Sequence, residues 1–134
     1  MEILLDTDVL VELLRGSEEV AQVINRLEGR GALLSTSTLN AFELFYGAYK
    51  TKNREENIEA TRTLLGRLIV HDLGLVASEK AGELQAALER EGTPLEFRDT
   101  LIASVALTQD VTLYTGNVRH FQRVPRLKLH PQNG

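Results

Sequence analysis

The chain contains no cysteine. A disulfide framework, a zinc–thiolate centre and a cysteine nucleophile are therefore excluded. No apolar run approaches the roughly 18 residues of a membrane-spanning helix. No G-x-x-x-x-G-K-[ST] segment occurs, so phosphate binding through a P-loop is excluded as well. There is no internal repeat, no low-complexity stretch and no linker-like composition shift. The opening, an acid followed at once by a strand pattern, is not that of a signal peptide. With the missing cysteines, it sets the expectation of a reducing, cytoplasmic setting.

What is present is an ordinary globular composition. The 134 residues are 43% hydrophobic and carry a net charge of −4. The length predicts one domain, 1–134, with a real core. The charge is unevenly spread. Residues 1–110 hold all 19 acids against 11 Lys/Arg, whereas residues 111–134 hold Arg119, Arg123, Arg126 and Lys128 and no acid. A basic end of this kind can hold phosphates or can be a solvated tail.

The stretch EILLDTD at residues 2–8 organises the rest. Ile3-Leu4-Leu5 reads as a central parallel strand, and Asp6 and Asp8 follow it. Ligand sites of open α/β sheets lie just beyond the C-terminal ends of such strands. Further strands are expected at 32–34, 69–70 and 111–114, with an edge strand at 127–129. Helices are expected between them: 9–14, one capped by Ser17, 39–49, about 57–68, one along Ala77, Ala81, Leu84 and Leu88, and 99–109. Strands alternating with helices predict an α/β fold, a parallel sheet covered on both faces. Phe42, Phe45, Tyr46 and Tyr49 fall on one helical stripe, expected to be core or a helix–helix contact.

Four polar side chains come to comparable places at one edge of that sheet: Asp6, Glu43, Asp99 and Asn117. Each has a plain structural alternative. Asp6 fits an N-cap, Glu43 an ion pair with an arginine, and Asp99 the cap of the helix it opens. Three carboxylates at one sheet edge, however, repel one another unless a cation joins them. Oxygen donors without His or Cys point to Mg²⁺ or Mn²⁺, ions that serve phosphoryl chemistry.

Four segments then carry a family resemblance: LLDTDVLVELLRG, STSTLNAFELFYGA, RDTLIASVAL and LYTGNVRHFQRVPRLKL. Together, and in this order, they resemble the blocks of PIN-domain ribonucleases, most closely the toxins of VapBC-type toxin–antitoxin pairs. The resemblance implies a three-layer α/β/α fold around a central parallel sheet of four to five strands. It implies a Mg²⁺- or Mn²⁺-dependent endoribonuclease that acts on RNA, is usually dimeric and is restrained by a cognate VapB-type antitoxin. Asp6, Glu43 and Asp99 match the family's acidic triad, with Asp6 and Asp99 as direct metal ligands and Glu43 bound to the metal directly or through water. Asn117 matches the polar residue of the last block and Thr115 its hydroxyl neighbour. Asp8 stands where many relatives have Asn, and His120 where many carry a fourth acid, which implies one well-held ion and a weaker second. Arg119, His120, Arg123 and Arg126 are the candidates for RNA contact. The aromatic stripe and the 57–68 helix are the candidates for a dimer or antitoxin surface.

Two other readings fit parts of the sequence. LLDTD followed by Val9 also resembles the opening motif of haloacid dehalogenase-like phosphatases, with Asp6 as nucleophile. A catalytically inactive RNA- or antitoxin-binding module would keep the fold without the chemistry.

Overall fold

The computed structural model describes residues 1–131. Its centre is β1 (Glu2–Leu5), flanked in a five-stranded sheet of order β3-β2-β1-β4-β5. The others are β2 (Leu33–Ser37), β3 (Ile69–His71), β4 (Thr112–Tyr114) and β5 (Leu129–His130), and every pairing is parallel. The helices are α1 (Thr7–Leu14), α2 (Glu18–Gly29), α3 (Thr38–Tyr49), α4 (Arg54–Leu65), α5 (Leu75–Arg90), α6 (Phe97–Gln109) and α7 (Val118–Phe121). None is long and apolar enough to cross a membrane among the described residues.

The period-2 alternation of a strand explains the layering. Leu4 faces one core, with Leu84 and Leu88 of α5, Ile102, Ala103 and Val105 of α6, and Phe121 of α7. Its neighbours Ile3 and Leu5 face the other, with Val9 and Leu10 of α1, Ile24 and Leu27 of α2, and Leu44 of α3. Leu4 and Leu5 are fully buried, and each contributes about 1.5–3 kcal/mol by leaving water. The result is the expected three-layer α/β/α arrangement, with five strands.

Four local readings need correction. The second strand is longer and shifted: Ser35, Thr36 and Ser37 lie within β2 and are fully buried. Their polarity hid the strand, but their hydroxyls are satisfied inside the sheet edge. Ser35 Oγ donates to the Ile3 carbonyl (3.3 Å) and Thr36 Oγ1 to that of Leu5 (2.8 Å). Asp99 is not a helix cap. Glu96 takes that position, and α6 begins two residues earlier than its apolar pattern indicated. The aromatic stripe of α3 is not core either, because Phe42, Tyr46 and Tyr49 are each more than half exposed. Leu44 and Ala48 take the inward face instead. The edge strand is likewise displaced, to Leu129–His130.

The ladder sets where the site can form. Asp6 N–H still donates to the Tyr114 carbonyl (2.9 Å), so Asp6 sits one residue past β1 beside the end of β4. Ser37 closes β2 and caps α3, bringing that helix to the same edge.

Candidate active site

Asp6 is the N-cap of α1 and also the hub of a buried polar cluster. Its Oδ1 accepts from Thr7 N–H (2.8 Å), Asn40 Nδ2 (3.1 Å) and Arg98 Nη2 (2.7 Å). Its Oδ2 accepts from Thr115 Oγ1 (2.8 Å). One carboxylate is therefore both the cap of α1 and the centre of the polar cluster. It is 1% exposed, so these bonds offset the cost of burying a polar group.

Glu43 arrives from the second turn of α3. Its Oε1 accepts from Thr7 Oγ1 and from Arg98 Nη2 (2.9 Å), and its Oε2 from Arg98 Nε (2.8 Å). Asp99, the third residue of α6, accepts from Arg98 Nη1 at 2.6 Å through Oδ1. Its Oδ2 faces His120 Nδ1 at 3.8 Å, too far for a hydrogen bond. Carboxylates from α1, α3 and α6 thus converge on a single guanidinium. Arg98 donates four hydrogen bonds to them from three nitrogens, a use of the planar fork that a lysine cannot copy.

Around this centre the other expected residues take distinct places. Asp8 points to the β4–α7 turn, where Oδ1 accepts from Val9 N–H and Oδ2 from Gly116 N–H, both at 2.8 Å. Burial, and then the charge of Asp6, push its pKa above the ordinary value. Thr115 is fully buried; it donates to Asp6 and accepts from the Asn117 N–H at 3.0 Å. Asn117 therefore joins through its backbone, while the residue itself is exposed at the start of α7. Arg119, Arg123 and Arg126 are exposed as well. Arg123 Nη1 donates to the Pro94 carbonyl (3.0 Å), tying that side chain to the loop before α6.

Three residues that the sequence reading did not single out complete the cluster: Arg98, Asn40 and Thr7. An arginine partner for Glu43 was anticipated, but not that it would be the neighbour of Asp99. Successive helix residues do not normally face one site; here the long stem of Arg98 reaches back across the first turn of α6. Asn40 closes a capping box with Ser37 while its Nδ2 reaches both Asp6 and Thr7 Oγ1 (2.9 Å). A capping box is read from Glu or Gln at this position, so Asn passed unnoticed.

The electrostatics follow from the geometry. Asp6, Glu43 and Asp99 face one guanidinium and Asp8 lies close by, so the cluster keeps an excess of negative charge. These carboxylates are all hard oxygen donors, and they already surround one cation. Their chemistry fits a divalent ion. Their present disposition does not offer a ready cage: no three His, Asp or Glu side chains among the described residues are disposed to hold a metal, because Arg98 stands between them. Asp6 is also held through both oxygens, which suits a fixed ligand better than a nucleophile.

Glu43 makes the cluster sensitive to acid. Burial raises its pKa, but hydrogen bonds from Arg98 and Thr7 outweigh burial and hold it below the ordinary 4.5. A carboxylate with a depressed folded pKa contributes stability that is present above its unfolded value and lost as pH falls through the folded one. Wild-type melting temperature is therefore expected to fall as pH drops below about 4.5. Glu43→Gln should flatten that limb, and parallel melting curves for the two proteins between pH 3 and 6 would refute the assignment.

The chain is similar to known proteins over nearly its whole described length. Residues 3–127 match the PIN domain family. The chain is 32% identical over 128 residues to the ribonuclease VapC2 of Rickettsia felis, covering 94% of each protein. It is 28% identical over 129 residues to the tRNA(fMet)-specific endonuclease VapC of Salmonella typhimurium, covering 96% of each. Among solved structures it resembles the VapBC2 complex of Rickettsia felis bound to a promoter DNA fragment, with a TM-score of 0.90, 29% identity and coverage of 99% of this chain and 100% of that one. The DNA-bound VapBC of Salmonella typhimurium aligns with a TM-score of 0.87, 28% identity and coverage of 96% of each chain.

Proposed function

The chain belongs to the PIN-domain family, and from that premise we propose that it is a divalent-metal-dependent endoribonuclease, the toxin of a VapBC-type pair acting in the cytoplasm. The observation that carries this reading is the convergence of Asp6, Glu43 and Asp99 on one cation at the C-terminal edge of a parallel sheet. Relatives named as VapC ribonucleases and structures of VapBC complexes support it.

Asp6, Glu43 and Asp99 are the residues that would hold the ion, whose chemistry is to supply hydroxide at neutral pH and to neutralise charge on the phosphate. The remaining side chains act on these three. Thr115 and Asn40 fix both oxygens of Asp6, and Thr7 orients Glu43. Such supporting hydrogen bonds set ligand direction as surely as the ligands set the ion. His120, exposed and with Nδ1 3.8 Å from Asp99 Oδ2, would meet a phosphate brought to the acids. Arg119, exposed on α7 just after Asn117, can meet the RNA backbone.

The exposed aromatics of α3 support a partner surface on this helix. Phe42 and Tyr46 stack with ring centroids 6.0 Å apart, and Lys50 Nζ lies 4.9 Å over the Tyr46 ring. A protein of this size rarely leaves three large aromatics in a row to water. A second copy or the cognate antitoxin would cover them.

The direct test is cleavage of a labelled, structured RNA by purified protein with Mg²⁺, with Mn²⁺ and with EDTA. Cutting that needs the metal is expected; cutting that survives EDTA would overturn the role given to the carboxylates.

One backbone position also follows. A Cβ on Gly116 would stand 2.5 Å from Asp8 Oδ2, closer than atoms can approach. The Asp8 carboxylate is short and held by two backbone N–H groups, so the turn must move, and Thr115 with it. Gly116→Ala is expected to lower kcat/KM for RNA by roughly 10- to 100-fold through displaced ligand support. The melting temperature should change little; unchanged cleavage would show that the Asp8–Gly116 contact is not needed.

A further inference from the structure

We infer that Arg98 is a built-in competitor for the divalent ion: the carboxylate centre is either closed on Arg98 or open and loaded with metal, never both. The inference rests on the metal-dependent reading above.

The first argument is occupancy. Binding an ion needs carboxylate lone pairs, and Arg98 takes them from all three acids at 2.6–2.9 Å. Asp6 Oδ1 accepts three donors and Oδ2 one, while both oxygens of Glu43 are engaged with Arg98. Asp99 Oδ2 is the one oxygen of the three acids for which no hydrogen bond is found among the described residues. One free oxygen does not make a site for an ion that wants near-octahedral oxygen coordination.

The second argument is charge. A divalent ion placed among these acids would lie within a few ångströms of the guanidinium, and like charges at that range in a half-buried site repel strongly. Yet Arg98 alone does not balance the four carboxylates, counting Asp8, so the closed form keeps the negative charge that attracts a second cation.

The third argument is freedom to leave. The Arg98 side chain is 27% exposed, in contrast to the buried Asp6 and Asp99. It springs from the first turn of α6, beside the exposed Phe97. A rotation about its own stem takes the guanidinium to solvent without moving a helix. Because the competent form is only a fraction of the whole, the apparent metal affinity is weakened by that fraction.

The test is Mn²⁺ calorimetry and melting of Arg98→Gln, Arg98→Lys and wild type, all stripped with chelator. Arg98→Gln is expected to bind Mn²⁺ at least tenfold more tightly. Without metal it should melt below wild type, since its acids have lost their counter-charge, and Mn²⁺ should raise its melting temperature further than that of wild type. Arg98→Lys, keeping the charge but not the fork, should bind several-fold more tightly than wild type; if the Gln variant does not fold, this variant decides. Affinity equal to or weaker than wild type, with RNA cleavage still metal-dependent, would overturn the competition alone and make Arg98 a permanent part of the loaded site. No Mn²⁺ binding by any of the three, with cleavage surviving EDTA, would overturn the metal reading and this inference together.

Discussion

Asp6→Asn should reduce RNA cleavage by at least about 10²- to 10³-fold while leaving the fold intact. The size follows from the several kcal/mol of transition-state stabilisation that a metal centre supplies, at about 1.4 kcal/mol per tenfold in rate. Losing the charge of Asp6, the most buried of the three acids proposed to hold the ion, would forfeit much of that. The intact fold follows from the hydrogen-bond map. An Asn oxygen at the Oδ1 position still accepts from Thr7 N–H, Asn40 Nδ2 and Arg98 Nη2. Its NH₂ then takes the Oδ2 position and donates to Thr115 Oγ1, which can turn its own proton elsewhere. A circular dichroism spectrum like wild type together with lost cleavage is the expected pair of results. A fully active, metal-dependent variant would remove Asp6 from the mechanism, and an unfolded one would show that the buried charge serves stability first.

The contrast between residues found and missed in the sequence has a physical basis. Asp6 was legible because the apolar run Ile3-Leu4-Leu5 stops at it, and a buried strand that ends in an acid marks the ligand edge of a parallel sheet. Glu43 was legible because it interrupts an otherwise apolar helix. The layering was legible too, since continuous apolar strands alternating with amphipathic helices admit few other arrangements. The strand boundaries failed where side-chain polarity and burial part company. Ser35, Thr36 and Ser37 look like a loop, but each hydroxyl meets a partner inside the fold and so can be buried. The aromatic stripe failed for the opposite reason. Apolar spacing says that a face will be covered, not that this chain covers it.

Arg98 marks a different limit. Its neighbour Asp99 draws the eye, and a helical wheel sends adjacent residues apart. What brings both to one point is side-chain length: an aspartate stays near its backbone, while an arginine spans several ångströms from its own. Patterns of spacing record where backbones go, and a long cation is placed by what attracts it. Here the attraction comes from α1 and α3 as well as from its own helix, so no local window contains it.

Asn40→Ala is the stability counterpart of the Asp6 variant and should cost about 2–4 kcal/mol. Asn40 is fully buried, and its side chain makes four hydrogen bonds with Ser37, Asp6 and Thr7. Truncation removes one half of the α3 capping box, which costs roughly 1 kcal/mol. It also strips a donor from Asp6 and from Thr7 and leaves Ser37 N–H without its side-chain acceptor, at about 1–3 kcal/mol for unmet buried groups. In a domain of this size that loss lowers Tm by roughly 10 °C. The effect should not end at stability. With Asn40 gone, Asp6 Oδ1 keeps Thr7 N–H and Arg98; if Arg98 competes with the ion as proposed, added Mn²⁺ should raise the Tm of this variant less than that of wild type. Asn40→Asp separates the two roles: it can still accept from Ser37, but it sets a carboxylate oxygen where Nδ2 now lies 3.1 Å from Asp6. Like charges at that distance repel, and a divalent ion relieves them, so this variant should be the less stable of the two without metal and the more strongly rescued by it. A Tm for Asn40→Ala within a degree of wild type would show that α3 and the acidic centre are held in place by packing alone.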